Sequence, residues 1–557
     1  MAFKPCFSSS FSSTPYIFLL SLLFSLAAAK AADICDTAPY PSSCRSSAPN
    51  NNNATANVYD YGRSSFTSSL STARTFLSLT QNFLQRSSDL TTGAIAALED
   101  CRLLADLNID YISESSKVIN QSQTLSTSEM DNVHTLMSSV LTNTQTCLDG
   151  LEQAASSWSS KDGVSIPLVN ATKLFSNSLS LFKSGWVPKT RSVSVSRTPR
   201  SRGAFVNGRF PFKMLGQNKT SSSNIGGRKL LQDGGGEYIV VSAIVVVSQD
   251  GSGDFLTINQ ALTFAPNKTV ASAGYFVIYV TAGVYEEYVS IPKNNKYVMM
   301  IGDGINQTVI TGNRSVADGF TTFNSATFAV VGEGFVAVNI TFRNTAGGAK
   351  HQAVAMRSGA DLSTFYSCSF EGYQDTLYTH SNRQFYTECD IYGTVDFIFG
   401  NGPAVLQNCN IYPRLPLSNQ FNAITAQGRT DINQNTGYSI QNCNIRAADD
   451  LASSNGSTQT YLGRPWKEYS RTIYMQSFMD SLINSAGWRE WSGTFALDTL
   501  YYAEFSNTGP GSDTSSRITW PGYHIINATD AAAFTVSSFL SGDNWLPLTG
   551  VPYTSGL

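Results

Sequence analysis

Two aspartates occupy matching places in two successive copies of one sequence unit. The copies are FYSCSFEGYQD, which ends at Asp375, and FYTECDIYGTVD, which ends at Asp396; in each copy the aspartate follows a cysteine by seven residues. The aspartates are 21 residues apart, about one coil of a β-solenoid, and register-matched residues on adjacent coils lie roughly 4.8 Å apart. The repeat therefore predicts a close pair of carboxylates.

Carboxylates this close cannot both ionise easily, so one of the two should keep its proton. One acid beside one base or nucleophile is a catalytic arrangement. The competing interpretation is that Asp375 and Asp396 are polar turn residues of a structural repeat.

Two glutamines accompany the aspartates. Gln374 directly precedes Asp375, and Gln352 lies about one coil earlier in the chain. Carboxamide N–H groups are good donors to a developing oxyanion, so this set favours acyl transfer at a carbonyl. The alternative is that both glutamines bond to the backbone.

A later segment, LGRPWKEY, offers two further candidates. Arg464 could hold an aspartate ionised through a bidentate pair, and Trp466 has a flat face of the kind that packs on sugar rings. Either residue could instead be a structural loop residue. The sequence contains no G-x-S-x-G motif, which argues against a serine nucleophile.

The elements that position these residues follow from a cysteine repeat. The units FYSCSF, FYTECDI, LQNCNI and IQNCNI place Cys368, Cys389, Cys409 and Cys443 at matching positions, with spacings of 21, 20 and 34 residues. Short β-rich runs separated by Gly and Asn begin at Ile239. This periodicity predicts a right-handed parallel β-helix over residues 237–557.

Residues 33–185 have a different texture. Apolar residues recur there at three- and four-residue intervals, which predicts an all-α bundle of about four long helices. Cys35 and Cys44 could close a short N-terminal loop, and Cys101 and Cys147 could tie two helices together.

The remaining segments indicate secretion and processing. Residues 1–32 contain the apolar run Tyr16–Ala29 followed by small residues, as in a signal peptide, and this run is short for a membrane span. Residues 186–236 form a basic linker that should be flexible. Near its end stands RKLL, residues Arg228, Lys229, Leu230 and Leu231, a candidate processing site. Because such a chain is secreted, the basic run does not indicate nucleic-acid binding.

The formal net charge of −3 hides an asymmetry. Residues 183–229 contain eleven Lys or Arg and no Asp or Glu, whereas from residue 240 onward 16 basic and 24 acidic residues give a net −8.

The segments DGSGDFLTINQAL, AGVYEEYV, AKHQAVA, EGYQDTLY, YGTVDFIFG, ITAQGR and LGRPW resemble plant pectin methylesterases over about residues 244 to 550. The helical part, from ICDTAPYPSSC through ALEDCRLLADLN to LTNTQTCLDG, is similar to pectin methylesterase inhibitor domains and has their four cysteines. The resemblance implies hydrolysis of galacturonate methyl esters in pectin without a metal or cofactor. It also implies a secreted cell-wall (apoplastic) monomer.

The resemblance also implies residue roles. Asp396 is the expected nucleophile and Asp375 the proton donor and later base. Gln374 and Gln352 are expected to stabilise the oxyanion, and Arg464 to orient Asp396. The expected substrate-contact residues are Thr322, Gln352, Tyr378, Phe399, Arg464 and Trp466.

Further expectations concern cysteines and partners. Cys409 and Cys443 are a disulfide candidate, whereas Cys368 and Cys389 could pair or remain free thiols. Expected partners are methyl-esterified homogalacturonan, a subtilisin-like processing protease and separate pectin methylesterase inhibitor proteins. We expect the helical pro-region to restrain the enzyme or to serve its export. Many plant members have a basic catalytic module, so the net charge of −8 here puts electrostatic retention on an acidic wall and processive, blockwise action in doubt.

Two other kinds of protein, a different carbohydrate-cleaving enzyme and a non-catalytic binding protein, could have the same fold. Carboxylates about 5 Å apart also fit a retaining glycosidase, and a β-helix could belong to a polygalacturonase or a pectate lyase. The paired glutamines favour ester hydrolysis. A non-catalytic inhibitor or wall-binding protein would be expected to have lost an aspartate, a glutamine or Arg464, and all are present.

Overall fold

A computed structural model describes residues 34–49, 56–86, 90–154, 158, 161–188, 229–232, 238–454 and 456–557. The predicted signal peptide, most of the linker and Arg228 lie outside the described residues. Within the described ranges, no helix is both long enough and apolar enough to cross a membrane.

Four long helices form the N-terminal part, as the apolar periodicity predicts. Asn57 and Ser126 each begin a helix with a capping box, and Thr91 caps a third through its hydroxyl, which satisfies backbone N–H groups that the first turn leaves free. The α-helices of the described residues are α1 Pro41–Ser46, α2 Val58–Gln85, α3 Thr92–Gln121, α4 Thr127–Gln153, α5 Asp162–Trp186, α6 Ile258–Leu262, α7 Asp449–Ala452, α8 Ala528–Ala532 and α9 Val536–Leu540.

The C-terminal part consists of short strands. They are β1 Lys229–Gln232, β2 Tyr238–Val247, β3 Tyr275–Val280, β4 Gly283–Glu286, β5 Val289–Ile291, β6 Val298–Gly302, β7 Thr308–Gly312, β8 Phe328–Val330, β9 Val336–Val338, β10 Thr341–Asn344, β11 Met356–Ser358, β12 Ser363–Tyr366, β13 Ser369–Glu371, β14 Leu377–Thr379, β15 Gln384–Thr387, β16 Asp390–Gly393, β17 Ile398–Gly400, β18 Pro403–Gln407, β19 Asn410–Pro413, β20 Asn422–Gln427, β21 Gly437–Gln441, β22 Asn444–Ile445, β23 Thr460–Gly463, β24 Arg471–Met475, β25 Phe478–Met479, β26 Tyr501–Phe505 and β27 Tyr523–Ile525.

These strands form three parallel sheets of twelve, eight and seven strands. The twelve-stranded sheet runs from β1 to β27, the eight-stranded sheet from β4 to β25, and the seven-stranded sheet from β5 to β23. From β3 to β23 each coil contributes one strand to each sheet, so that β12, β13 and β14 pair in register with β15, β16 and β17 of the next coil. The predicted right-handed parallel β-helix is therefore confirmed.

One strand departs from the parallel rule. β1 pairs antiparallel with β2, and Lys229 stands opposite Val241. Part of the predicted processing site, Lys229, Leu230 and Leu231, thus lies in a paired strand. The basic composition of the segment predicts a flexible linker instead.

The corner between the first two sheets has a left-handed residue on six successive coils. These residues are Asn339, Ser367, Glu388, Asn408, Asn442 and Gln476, with φ between 49° and 59°. The interior beside them is apolar: the Phe365 and Tyr386 rings of adjacent coils stack with centroids 4.7 Å apart. Stacked identical turns and rings make the coils rigid, and this is the support on which the candidate site is built.

The four cysteines of the helical domain form two disulfides, Cys35–Cys44 and Cys101–Cys147. The second one joins α3 to α4, and the first closes the loop before α1.

The predicted Cys409–Cys443 disulfide is wrong, because both residues are free thiols, as are Cys368 and Cys389. All four are buried at register-matched positions inside the solenoid. There each thiol can donate to a backbone carbonyl: the Cys409 Sγ lies 3.5 Å from the Gln407 oxygen, and the Cys443 Sγ lies 3.4 Å from the Gln441 oxygen. The four cysteines therefore stack at matching positions of adjacent coils as free thiols. Each thiol is hydrogen-bonded to a backbone carbonyl, and no disulfide joins them.

This correction predicts a thiol count. A C-terminal module of residues 232–557, denatured without reductant, should react with four equivalents of a thiol reagent, since it contains these four cysteines and no others. The native module should react slowly because all four sulfurs are buried. A count of two would show that Cys409 and Cys443 are oxidised after all.

Candidate active site

Asp375 and Asp396 lie in equivalent turns of adjacent coils. Asp375 follows β13 and precedes β14, and Asp396 follows β16 and precedes β17. The Asp375 N–H donates to the Val395 carbonyl at 3.1 Å, so the two turns are stacked. Both aspartates have left-handed backbone, with φ of 63° and 53°, which Asp tolerates better than most residues because its short side chain can bond locally.

Arg464 forms a bidentate ion pair with the carboxylate of Asp396. Its Nε donates to the Asp396 Oδ1 at 2.8 Å and its Nη2 donates to the Asp396 Oδ2 at 2.7 Å. Burial raises the pKa of Asp396, while the hydrogen bonds and the charge of Arg464 act to lower it. The bidentate pair therefore favours the ionised form of this buried carboxylate.

Asp375 is in a different electrostatic position. Burial, and then the charge of Asp396, raise the pKa of Asp375 well above its ordinary value, and the more distant Arg464 only partly opposes this. The pKa of each carboxyl is raised by burial, but the bidentate pair with Arg464 favours the ionised form at Asp396 alone, whereas the charge of Asp396 favours the protonated form at Asp375. Such a split gives one nucleophile or base and one acid.

Both aspartates open into one cavity of about 280 Å³. The other predicted residues that line it are Thr322, Gln352, Gln374, Tyr378, Phe399, Arg464 and Trp466. The structure therefore brings together all nine residues that the sequence singled out for catalysis or substrate contact.

The aromatic residues form one wall of this cavity. The Tyr378 and Phe399 rings stack at 4.1 Å between centroids because they are register partners on β14 and β17. Trp466 meets Phe399 edge-on at 6.0 Å. A Cβ at Gly428 would lie 2.7 Å from the Trp466 ring, so the glycine of ITAQGR leaves the space in which that ring sits.

The sequence reasoning missed the residues that hold Arg464. Its guanidinium lies 4.2 Å from the centroid of the Trp491 ring and 5.2 Å from that of Phe421. These aromatic faces restrict the guanidinium plane. The available signal was GWREW, Gly487 to Trp491, in which the second tryptophan directly follows two charged residues.

The sequence reasoning also missed that the helical domain completes the cavity. The lining includes five residues of α3 and α4, namely Asp100, Thr146, Asp149, Gly150 and Gln153. The Lys467 Nζ donates to the Asp149 Oδ1 at 2.8 Å, and the Thr146 hydroxyl lies 2.9 Å from the His380 Nε2. The bundle is therefore seated on the mouth of the site.

Asp100 is the most deeply placed of these helical residues. Its Oδ2 accepts from the Thr321 hydroxyl at 2.5 Å, and its Oδ1 accepts from the Asn324 amide. Burial raises the pKa of Asp100 to about 7, and Glu99 adds to the rise, while the Thr321 hydrogen bond and the charge of Arg357 oppose it. The contact is thus fully desolvated and sensitive to charge.

Beyond the cavity the two domains meet over a broad polar surface. Ser139 and Thr142 of α4 bond to Asn382 and Asn401 at 2.7 and 2.9 Å. Lys293 pairs with Asp106 and Asp110 of α3 at 2.7 and 2.6 Å. These contacts fix the bundle across the coils on both sides of the aspartate pair.

Comparisons with known proteins agree with this architecture. Residues 244–543 match the family model described as Pectinesterase, and residues 29–181 match that described as Plant invertase/pectin methylesterase inhibitor. The chain is 58% identical over 540 residues to "Probable pectinesterase/pectinesterase inhibitor 41" of Arabidopsis thaliana, with 94% of each chain covered. It is 56% identical over 578 residues to "Probable pectinesterase/pectinesterase inhibitor 7" of the same plant, with 98% and 99% covered.

A solved structure matches the C-terminal part. "Pectin methylesterase from Carrot" is 56% identical, with a TM-score of 0.55, and the match covers 56% of this chain and 98% of the carrot chain. The carrot chain thus corresponds to the β-helix alone, so a module of this kind folds without the helical domain. The chain belongs to the pectinesterase family and joins that domain to an N-terminal domain of the plant invertase/pectin methylesterase inhibitor family.

Proposed function

We propose that the C-terminal module hydrolyses the methyl esters of galacturonate units in pectin, with Asp396 as nucleophile and Asp375 as acid and base. One observation carries the proposal: a buried carboxylate in a bidentate pair with Arg464 lies beside a second buried carboxyl whose pKa is raised. The carrot pectin methylesterase similarity supports the choice of substrate.

The first half of the reaction forms a covalent intermediate. An Asp396 oxygen attacks the ester carbonyl carbon, and the electron pair moves to the carbonyl oxygen. Gln374 and Gln352 donate N–H groups to this oxyanion. When the tetrahedral intermediate collapses, the C–O bond to the methoxy group breaks and the Asp375 proton goes to the leaving oxygen. Methanol departs and an anhydride joins Asp396 to the sugar.

The second half regenerates the enzyme. Asp375, now ionised, accepts a proton from water, and the resulting hydroxide attacks the galacturonyl carbonyl carbon. The bond to Asp396 breaks, which releases the sugar unit as its free carboxylic acid and returns both aspartates to their starting protonation states. The released acid then loses its proton to the solvent and becomes galacturonate. No metal or cofactor takes part in either step.

The test is methanol release from highly methylated pectin by residues 232–557, compared with release by the full chain. We expect the module to release methanol without new reducing ends and without unsaturated products, which would indicate a glycosidase or a lyase. A folded module that releases no methanol from pectin would contradict the assignment.

We infer that the helical domain is an autoinhibitory pro-region. A polymer must cross the mouth of the cavity to place an ester at Asp396, and the contacts of Asp100 and Asp149 occupy that mouth. We further propose secretion to the cell wall and cleavage by a subtilisin-like protease at Arg228, Lys229, Leu230 and Leu231, which would allow the bundle to leave. Separate inhibitor proteins of the same family could then take its place.

Replacing Arg464 by glutamine should shift the pH profile of the module. Arg464 acts to lower the pKa of Asp396, so without it Asp396 stays protonated to a higher pH. Because the nucleophile must be ionised, the acidic limb of kcat/KM against pH should move upward by about one to three units. The alkaline limb reports loss of the Asp375 proton and should not move upward with it. An unchanged acidic limb in a folded variant would contradict this role for Arg464.

A further inference from the structure

A second pocket lies on the same face of the solenoid as the aspartate pair. Its volume is about 430 Å³, and its lining is Tyr288, Asn313, Arg314, Asp318, Phe320, Thr345, Ala346 and Lys350. These residues come from the corner between the eight-stranded and the seven-stranded sheets, which is the corner that also contains Asp375 and Asp396. Arg314 follows β7, two coils before Asp375, so it lies roughly 10 Å from Asp375 along the solenoid axis at about 4.8 Å per coil.

The chain also joins this pocket directly to the active-site cavity. Phe320 lines the second pocket, and the next residues, Thr321 and Thr322, line the first. The Val316 N–H donates to the Gln352 carbonyl at 3.0 Å, which ties the Arg314 loop to a residue of the active site. A polymer that lies along this face can therefore reach both pockets at once.

Arg314 is prepared to bind an anion. Its guanidinium lies 3.7 Å from the centroid of the Tyr288 ring and 4.9 Å from that of Phe320. The Tyr288 hydroxyl donates to the Asn313 Oδ1 at 3.0 Å, which fixes that ring. These aromatic contacts restrict the guanidinium, and its N–H donors lie in one plane in a fork that matches a carboxylate.

Arg314 also differs from the other basic residues of the two pockets in its ion pairing. Arg464 is paired with Asp396, and Lys350 with Asp318. Among the described residues that line the two pockets, Arg314 is the one basic side chain without an ion pair. No described residue of the helical domain lines the second pocket, so this cation is not matched by the pro-region either.

We propose that Arg314 is a specificity subsite for the carboxylate of a galacturonate unit that has already been de-esterified. This proposal rests on the function proposed above, because the ligand is the product of that reaction on the same polymer. A guanidinium recognises a carboxylate through two parallel hydrogen bonds, whereas a methyl ester has no charge to offer it. The module should therefore bind chains that already contain carboxylates near the reacting ester more tightly than fully esterified chains.

The test compares Arg314→Gln with the parent module on two substrates, highly methylated pectin and pectin randomly de-esterified by base to about half. On the second substrate we expect the KM of Arg314→Gln to rise about five- to tenfold, with little change in kcat. This size suits a charge-assisted hydrogen bond that is partly screened by solvent. On highly methylated pectin the two proteins should differ little, and salt should shrink the difference on the second substrate.

Two variants complete the design. Arg314→Lys keeps the charge and loses the planar fork, so it should recover only part of the loss. Arg446→Gln is the matched control, because Arg446 also lies over one aromatic ring, 4.8 Å from the Phe478 centroid, and lines neither pocket. Equal losses on both substrates, or the same loss in Arg446→Gln, would overturn the proposal.

Direct binding separates this proposal from the esterase assignment. Calorimetric titration with polygalacturonate, which has no ester to hydrolyse, should give an affinity about five- to tenfold weaker for Arg314→Gln than for the parent. If the parent module binds polygalacturonate more tightly than Arg314→Gln but releases no methanol, the esterase assignment is contradicted and the carboxylate subsite is supported. If the module releases methanol but binds polygalacturonate equally with and without Arg314, only the carboxylate subsite is contradicted.

Discussion

Replacing Asp396 by asparagine should reduce methanol release by the module by about 10⁴-fold or more, the scale on which enzymes lose rate when a nucleophile is removed. The carboxamide cannot form the anhydride, and it offers Arg464 one oxygen in place of two. Asparagine suits this position because it tolerates left-handed backbone, here φ 53°, as well as aspartate does. The measurement is methanol released from highly methylated pectin per enzyme molecule.

Asp390→Asn is the matched control for that experiment. Asp390 lies six residues earlier on the same coil, where its carboxylate accepts from the Asn410 amide at 2.8 Å outside the cavity. This variant should keep the parent rate. Comparable activity in Asp396→Asn would show that another group is the nucleophile.

The second large effect is expected in the full chain. Changing Asp100 to lysine places a cation beside the buried Arg357 and turns a donor toward the Thr321 hydroxyl and the Asn324 amide. An uncompensated buried charge costs about 3–5 kcal/mol, and each 1.4 kcal/mol is tenfold. The undocked fraction should therefore rise about 100-fold or more, and methanol release by the full chain should approach that of the module.

Glu99→Lys is the control, since Glu99 is the neighbouring residue but its side chain is 44% exposed and pairs with Arg102 on the same helix. It should leave the full chain inhibited. Both variants should retain the Cys101–Cys147 disulfide, which reports that the bundle is folded. If Asp100→Lys stays as inactive as the parent precursor, the inferred restraint does not depend on this contact.

The inhibition of the full chain by its helical domain should depend on pH through Asp100. Docking raises the pKa of this carboxyl to about 7 from an ordinary value of 3.8, so docking takes up a proton. Between these two values, a rise of one pH unit should weaken docking by up to tenfold. The precursor should thus be most inhibited at acidic pH, and Asp100→Asn, which does not titrate, should lose this part of the slope.

The periodic part of the molecule is the part that the sequence predicts well. Stacked coils repeat at about 21 residues, so equal spacing from Cys368 and Cys389 is enough to bring Asp375 and Asp396 together. The resemblance to a known family then supplies Arg464, which is 68 residues beyond Asp396 in the chain. The Trp491 and Phe421 faces that hold Arg464 depend on irregular loops, which have no period to follow.

The cysteines and the docked bundle show where such reasoning fails. Matching positions of Cys409 and Cys443 indicate proximity, but proximity on adjacent coils does not decide between a bond and two satisfied thiols. Asp100 and Asp149 are ordinary surface carboxylates in the pattern of a free helical bundle. Their partners, Thr321 and Lys467, lie in the other domain, so only the assembled fold gives them a role.

The short strand β1 has a consequence for the fate of the cleaved protein. It hydrogen-bonds along the outer edge of β2, whose sequence YIVVSAIVVV is rich in β-branched residues. An uncovered edge of this composition is a template for intermolecular strand pairing and aggregation. A cut after Leu231 would remove Lys229, Leu230 and Leu231, most of this strand, from the chain that continues into β2. The event that would free the enzyme would also unprotect the end of its solenoid, so the uncut chain would be the safer form to keep at high concentration.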